Sequence, residues 1–282
     1  ALLTNPGDPL DYLEVVGKGK SPSQPSAPLI AIPTTSGTGS EVTRNAVLGS
    51  PAHGVKVSLR SPMMLPSLAI VDPELTYSLP PEITASSGLD ALTQLIEPFV
   101  SVKANPMTDA ICREGIRHAA VSLRRAYQNG ADVSAREGMA LASLFGGVAL
   151  ANSALGAVHG FAGPLGGMLN APHGAICAKL LPLVMAANIN VLESRHAGHV
   201  AIGKYDEVAQ IVTGEKNASA KDGVKWVSAL VSELNILPLS AHGMKEGHIS
   251  EAVQKTLNAS SYKGNPILLS AEELKGILEN AL

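Results

Sequence analysis

His159 and His173, each followed by glycine, lie in a stretch, residues 138–178, that contains no Asp, Glu, Lys or Arg. Burying an imidazole without a partner costs about 1–3 kcal/mol. Either each ring has a local hydrogen bond, or both serve something that needs neutral nitrogen donors. Asp90 and Gln94 stand four residues apart in "GLDALTQLIE", on one face of a predicted helix. Asp90 alone reads as a cap or a local pair, and each histidine alone as a satisfied core residue. Together, a carboxylate and two neutral imidazoles from separate apolar helices make a ligand set for a divalent metal, with an open position for substrate.

A second stretch, "PTTSGTGSEVT" at 33–43, follows a short strand-like run. Its backbone N–H groups and hydroxyls suit phosphate and ribose oxygens, although the same composition also makes a plain loop. Lys56, in "GVKVSLRSP", either reaches such a phosphate or ribose or is a solvated lysine. There is no nucleophile elbow and no cysteine in a catalytic pattern, so no residue is assigned to covalent or acid–base catalysis.

These residues need elements to position them. "PLIAIPTT" and "SLAIVDPEL" read as short strands ending in turn residues, with a Gly-, Ser- and Thr-rich stretch between them. From Pro81 the texture becomes helical, opening on Pro-Glu with Leu89, Leu92 and Ile96 at helical spacing. Further helices are expected over 106–128, 133–158, 173–192, 195–213, 219–236, 247–259 and 270–281. The fold class that follows is an α/β N-terminal part, residues 1–79, and then an all-α helical metal-binding domain, residues 80–282.

The chain has 282 residues, 45% of them hydrophobic and only 3% aromatic, so its core must be built from Ala, Leu, Val and Ile. A formal net charge of −3 without a basic block argues against nucleic acid as a partner. Residues 139–158 are uncharged and long enough to be weighed as a membrane span, but several Gly, Asn and Ser residues favour a helix buried inside the fold. Cys112 and Cys177 have no metal-type spacing and read as buried small hydrophobes of a reducing compartment, the cytoplasm. "ALLTNPGDPLDY" has neither a Met nor a signal-peptide pattern and reads as a start partway through a protein.

The order of "PTTSGTGSEVT", "GLDALTQLIE", "VHG…PLGG…PHG" and "GNP" at 264–266 resembles the iron-containing (group III) alcohol dehydrogenases over essentially the whole chain. The resemblance implies an N-terminal α/β domain binding NAD or NADP. It also implies a helical domain holding a divalent metal, Fe2+ or Zn2+, with the active site in the cleft. By matching position, Asp90, His159 and His173 are implied metal ligands. Thr34, Thr35, Gly37, Thr38, Asn45, Val47 and Lys56 are implied cofactor contacts. The implied reaction moves hydride between a small alcohol or aldehyde and NAD(P), in a homodimer without membrane or nucleic-acid partners. A metal-independent, maleylacetate reductase-like oxidoreductase and a catalytically silent metal-binding fragment are the alternatives.

Three departures from the family pattern matter. The usual histidine four residues after the aspartate is Gln94, a weaker neutral donor, which is carried as a fourth ligand position. A histidine that many members carry four residues after the first "HG" histidine is Gly163. The family's Gly-rich pyrophosphate turn lies upstream of anything present, so the nucleotide-binding domain is expected to be truncated. Weak cofactor binding and little turnover are expected of this chain, with apolar Leu29, Ile30 and Ile32 left uncovered.

Overall fold

The computed structural model describes residues 1–53, 55–169 and 171–282. Among the described residues before Pro81 there are four short strands. Strand β1 (Ile30–Ala31) pairs in parallel with β4 (Leu68–Ala69). Strand β2 (Asn45–Ser50) pairs antiparallel with β3 (Val55–Arg60), opposing Asn45 to Arg60 and Gly49 to Lys56. The β1 and β4 strands fall within the two sequence-predicted runs. The β2–β3 hairpin lies inside the stretch whose composition reads only as Gly-, Ser- and Thr-rich.

Nine helices follow among the described residues. Helix α1 (Pro81–Val100) starts with proline at its first turn and Glu82 beside it, where the ring's fixed φ and the acid's charge both suit a helix N-terminus. Helix α2 (Pro106–Gln128) opens on a reciprocal Asn105–Thr108 capping box. Helix α3 (Val133–Asn152) is capped by Asp132, which accepts from Ala135 N–H. Helices α4 (Ala157–Met168) and α5 (His173–Arg195) come next. Helices α6 (Val200–Thr213), α7 (Ala220–Glu233), α8 (Ile249–Asn258) and α9 (Ala271–Glu279) complete the set.

The helix expected over 133–158 ends earlier than expected, and a further helix that the sequence reading did not mark follows it. Helix α3 stops at Asn152, and α4 leaves at 99° to it. Uncharged residues carry the apolar pattern straight through this corner, and so hide it. Helix α4 lacks a side-chain cap from its own N-cap, Gly156. Its first amides are served instead by Asn265 and Glu97, which lie far away in sequence.

Helix α1 is buried almost continuously from Leu89 to Val100, packed by α2, α3 and α5. Leu89, Leu92, Leu95, Phe99, Phe161, Leu165 and Ile176 are among the fully buried side chains of one continuous core. Helix α5, with mean hydropathy 1.8 in its most apolar window, is long and apolar enough to cross a membrane, yet 67% of that window is buried inside the fold.

Candidate metal centre

Three helices converge on the charge-free stretch. Asp90 comes from the middle of α1, His159 from the first turn of α4, and His173 from the first residue of α5. Glycine makes the convergence possible. A Cβ on Gly174 would lie 2.6 Å from the Ser86 carbonyl oxygen, so α5 reaches α1 only because no side chain follows His173.

The result is a tight cluster. His159 Nε2 lies 3.4 Å from Asp90 Oδ1, and His173 Nε2 lies 3.7 Å from the same oxygen. The two rings are 5.4 Å apart, centroid to centroid. Cys177, one turn into α5, brings its Sγ to 3.6 Å from His173 Nε2. One donor atom from each of Asp90, His159, His173 and Cys177 falls within 4.8 Å of all the others.

Asp90 and His159 are buried, whereas the His173 side chain keeps 39% exposure and forms the open side. Asp90 Oδ1 and His159 Nε2 are buried without a hydrogen-bond partner. Such orphans each cost on the order of 1–3 kcal/mol unless something else satisfies them. A divalent cation would do so, and the donor set suits one.

Glu97 stands behind His159. Its Oε2 takes the ring's Nδ1 at 2.7 Å, and its Oε1 accepts from Val158 N–H at 2.7 Å. Fixing the proton on Nδ1 leaves the Nε2 lone pair aimed at Asp90. Asn265 completes the support: its Oδ1 accepts from Ala157 N–H at 3.1 Å, and it exchanges hydrogen bonds with buried Asn188. Burial disfavours a charged His159, but Asp90 and Glu97 outweigh burial and push its pKa up to about 10. Burial tends to raise the Asp90 pKa, and the two imidazoles overcome this and hold it low. Burial first, and then the neighbouring His159 and Lys56 charges, hold His173 below its usual value against the pull of Asp90. The same two carboxylates favour either a second proton or a cation at Nε2, so an ion would bind there by displacing that proton.

Gln94 shares the Asp90 face, but its Nε2 donates to the Thr38 carbonyl at 2.6 Å. The amide thereby ties α1 to the hydroxyl-rich loop. That loop rests on the helices through glycine: Gly37 packs on Ser87, and Gly39, at φ +56°, packs on α3, where a Cβ would lie 2.5 Å from the Ser143 carbonyl oxygen. Thr34, Thr35 and Thr38 are exposed. Asn45 and Val47 lie on β2, with Val47 largely exposed. Lys56, on β3, crosses to α4, its Nζ within 3.6 Å of where a Cβ on Gly166 would sit. The loop thus rests on α1 and α3, and Lys56 lies against α4, near enough for its charge to act on His173.

Two contributors were missed by sequence reasoning. Glu97 lies seven residues after Asp90 on the same helical stripe, a signal that extending the Asp90–Gln94 spacing by one turn would have found. Cys177 lies four residues after His173, and pairing it with the histidine rather than with Cys112 would have marked it.

Comparison with known proteins places this geometry. Residues 84–282 match the C-terminal part of the Fe-containing alcohol dehydrogenase family, and residues 1–73 match iron-containing alcohol dehydrogenase. Alcohol dehydrogenase 4 of Schizosaccharomyces pombe is 38% identical over 282 residues, covering 100% of this chain, which spans only 64% of that protein's length. The crystal structure of 1,3-propanediol oxidoreductase superposes with a TM-score of 0.88 at 34% identity, over 100% of this chain and 72% of that one. Sulfoacetaldehyde reductase from Bifidobacterium kashiwanohense, solved in complex with NAD+, gives a TM-score of 0.84 at 30% identity, over 99% of this chain and 70% of that one. With both of its segments matched in order and the fold shared throughout, the chain belongs to the iron-containing alcohol dehydrogenase family.

Proposed function

We propose that the protein is a metal-dependent alcohol dehydrogenase moving hydride between a small alcohol or aldehyde and NAD(P). Asp90, His159 and His173 hold a divalent ion, Fe2+ or Zn2+. The carrying observation is the pair of buried atoms without partners, Asp90 Oδ1 and His159 Nε2, set beside His173. When bound, the ion supplies Lewis acidity toward an alcohol oxygen and the dinucleotide supplies the hydride acceptor.

The chain's own residues then do four things. Glu97 fixes the Nδ1 proton of His159, so that the ring donates through Nε2. The exposed side of His173 admits substrate. The Thr34, Thr35, Gly37 and Thr38 loop, with Asn45 and Val47 on the adjoining strand, offers hydroxyls, amides and an apolar side chain to the dinucleotide. Lys56 adds a positive charge for its phosphate or ribose oxygens. In this reading residues 1–79 form the dinucleotide domain and residues 80–282 the metal domain. A homodimer in the cytoplasm completes it; two free cysteines support a reducing compartment, and light scattering checks the dimer.

Titrating NADH and NADPH by fluorescence, with and without Zn2+ or Fe2+, and then assaying primary-alcohol oxidation tests the reading. Ion and dinucleotide binding together, with turnover, support the dehydrogenase. Dinucleotide without an ion requirement turns the assignment to a metal-independent reductase, and an ion without dinucleotide to a metal-binding fragment.

A further inference from the structure

We propose that Cys177 is the fourth protein ligand of this centre, taking the place in the donor set that Gln94 does not fill. The inference rests on the metal reading above and specifies its chemistry: an Asp–His–His–Cys set, with one thiolate, for a borderline divalent ion such as zinc.

Distances carry the case. A tetrahedral ion with nitrogen and oxygen donors at about 2.0–2.2 Å separates those donors by about 3.4 Å, and a sulfur at about 2.3 Å stands about 3.6 Å from a nitrogen. The observed separations are 3.4 Å for His159 Nε2 to Asp90 Oδ1, 3.7 Å for His173 Nε2 to Asp90 Oδ1, and 3.6 Å for Cys177 Sγ to His173 Nε2. These match three of the six edges of one such tetrahedron with sulfur at its fourth vertex, and the other three separations stay within 4.8 Å. The Cys177–His173 contact is also within hydrogen-bond reach of a thiol, but that bond leaves Asp90 Oδ1 and His159 Nε2 buried without hydrogen-bond partners at the centre of the cluster.

Gln94 directs its Nε2 to the Thr38 carbonyl at 2.6 Å and so anchors the loop; the donor it keeps is a neutral amide oxygen, weaker than a thiolate toward a borderline ion. Cys177, by contrast, is completely buried, beside the Asp90 carboxylate and one turn after a histidine of the cluster. As an ion enters, the thiol proton leaves to solvent and the sulfur binds as thiolate. A thiolate also sets the ion class, since soft donors favour zinc and cobalt over magnesium. The exposed face of His173 remains the side from which a fifth donor, the substrate oxygen, reaches the ion.

Cobalt(II) titration of the metal-free chain tests this without an activity assay. Visible ligand-field bands report that an ion is bound, and a near-ultraviolet sulfur-to-cobalt charge-transfer band reports thiolate ligation. Both bands are expected to rise together and to saturate at one ion per chain. The charge-transfer band alone should vanish in Cys177→Ser, persist in Cys112→Ala, and be accompanied by cobalt affinity lowered at least about tenfold in Cys177→Ser. X-ray absorption of the zinc form should show one sulfur neighbour at about 2.3 Å. Visible bands without a charge-transfer band or a sulfur neighbour overturn the Cys177 assignment and leave the metal reading standing. Absence of visible bands at stoichiometric cobalt overturns both.

Discussion

The helical region and the strand-bearing region before it reach their geometry by different routes. Helices α1 to α9 share one continuous core that orders the cluster from several sides at once. Before Pro81, among the described residues, Leu13, Val57 and Leu59 form a small buried cluster, while Leu29, Ile30 and Ile32 stay 50%, 59% and 50% exposed. The hydroxyl-rich loop therefore takes its shape from the helices it rests on, through Gly39 against α3, Gly37 against Ser87 and Thr38 against Gln94. The comparison teaches that the donors proposed for the ion are held by the helices alone, whereas loop geometry is borrowed from them. Damage to the loop should spare the ion.

Gly39→Val gives the largest expected effect. It places a β-branched residue at φ +56° against the α3 backbone, at about 2–4 kcal/mol of strain and overpacking. Limited proteolysis should cut the loop rapidly, with metal content unchanged; parallel loss of the metal would break the distinction. Glu97→Gln probes the opposite side. It removes the carboxylate charge and leaves one amide oxygen for two donors, the His159 Nδ1–H and the Val158 N–H, and ion affinity should fall about 10–100-fold. Calorimetry checks this, and the loop's proteolysis rate should not move.

Lys56→Ala should weaken NAD(P)H binding by about 1–2 kcal/mol through loss of one charge-assisted bond. Fluorescence titration reads it, and equal affinities return Lys56 to the solvated surface. The smallest effect belongs to Gln94→Ala, which deletes one hydrogen bond to Thr38, about 1 kcal/mol. Loop protection in hydrogen exchange should decrease while zinc affinity stays within about twofold; a larger loss of zinc affinity would make the amide a ligand.

How much of this was legible follows from how local each signal is. Helices α1 and α2 announce themselves through proline at the first turn, and α2 also through its Asn105–Thr108 box, all within a few residues. Asp90, His159 and His173 are visible because their polarity conflicts with their apolar surroundings. The start of α4 is not legible, because its caps come from Glu97, 61 residues before Val158, and from Asn265, 108 residues after Ala157. The partner of Gln94 lies 56 residues away at Thr38. Cys177 is hidden for a different reason. A buried cysteine fits an apolar helix without conflict, so only the placement of its sulfur beside the orphaned Asp90 Oδ1 and His159 Nε2 marks it as a donor.

The central claim is that Asp90, His159 and His173 share one divalent ion. His173 begins α5 and is partly exposed, so His173→Ala removes a donor with little expected damage to the core. Zinc content after equilibrium dialysis, with far-ultraviolet circular dichroism on the same samples, is the most direct test. The account expects one zinc per parent chain, none retained stoichiometrically by His173→Ala, and the helical signal preserved in both. A folded His173→Ala variant that keeps the parent's zinc content would contradict it.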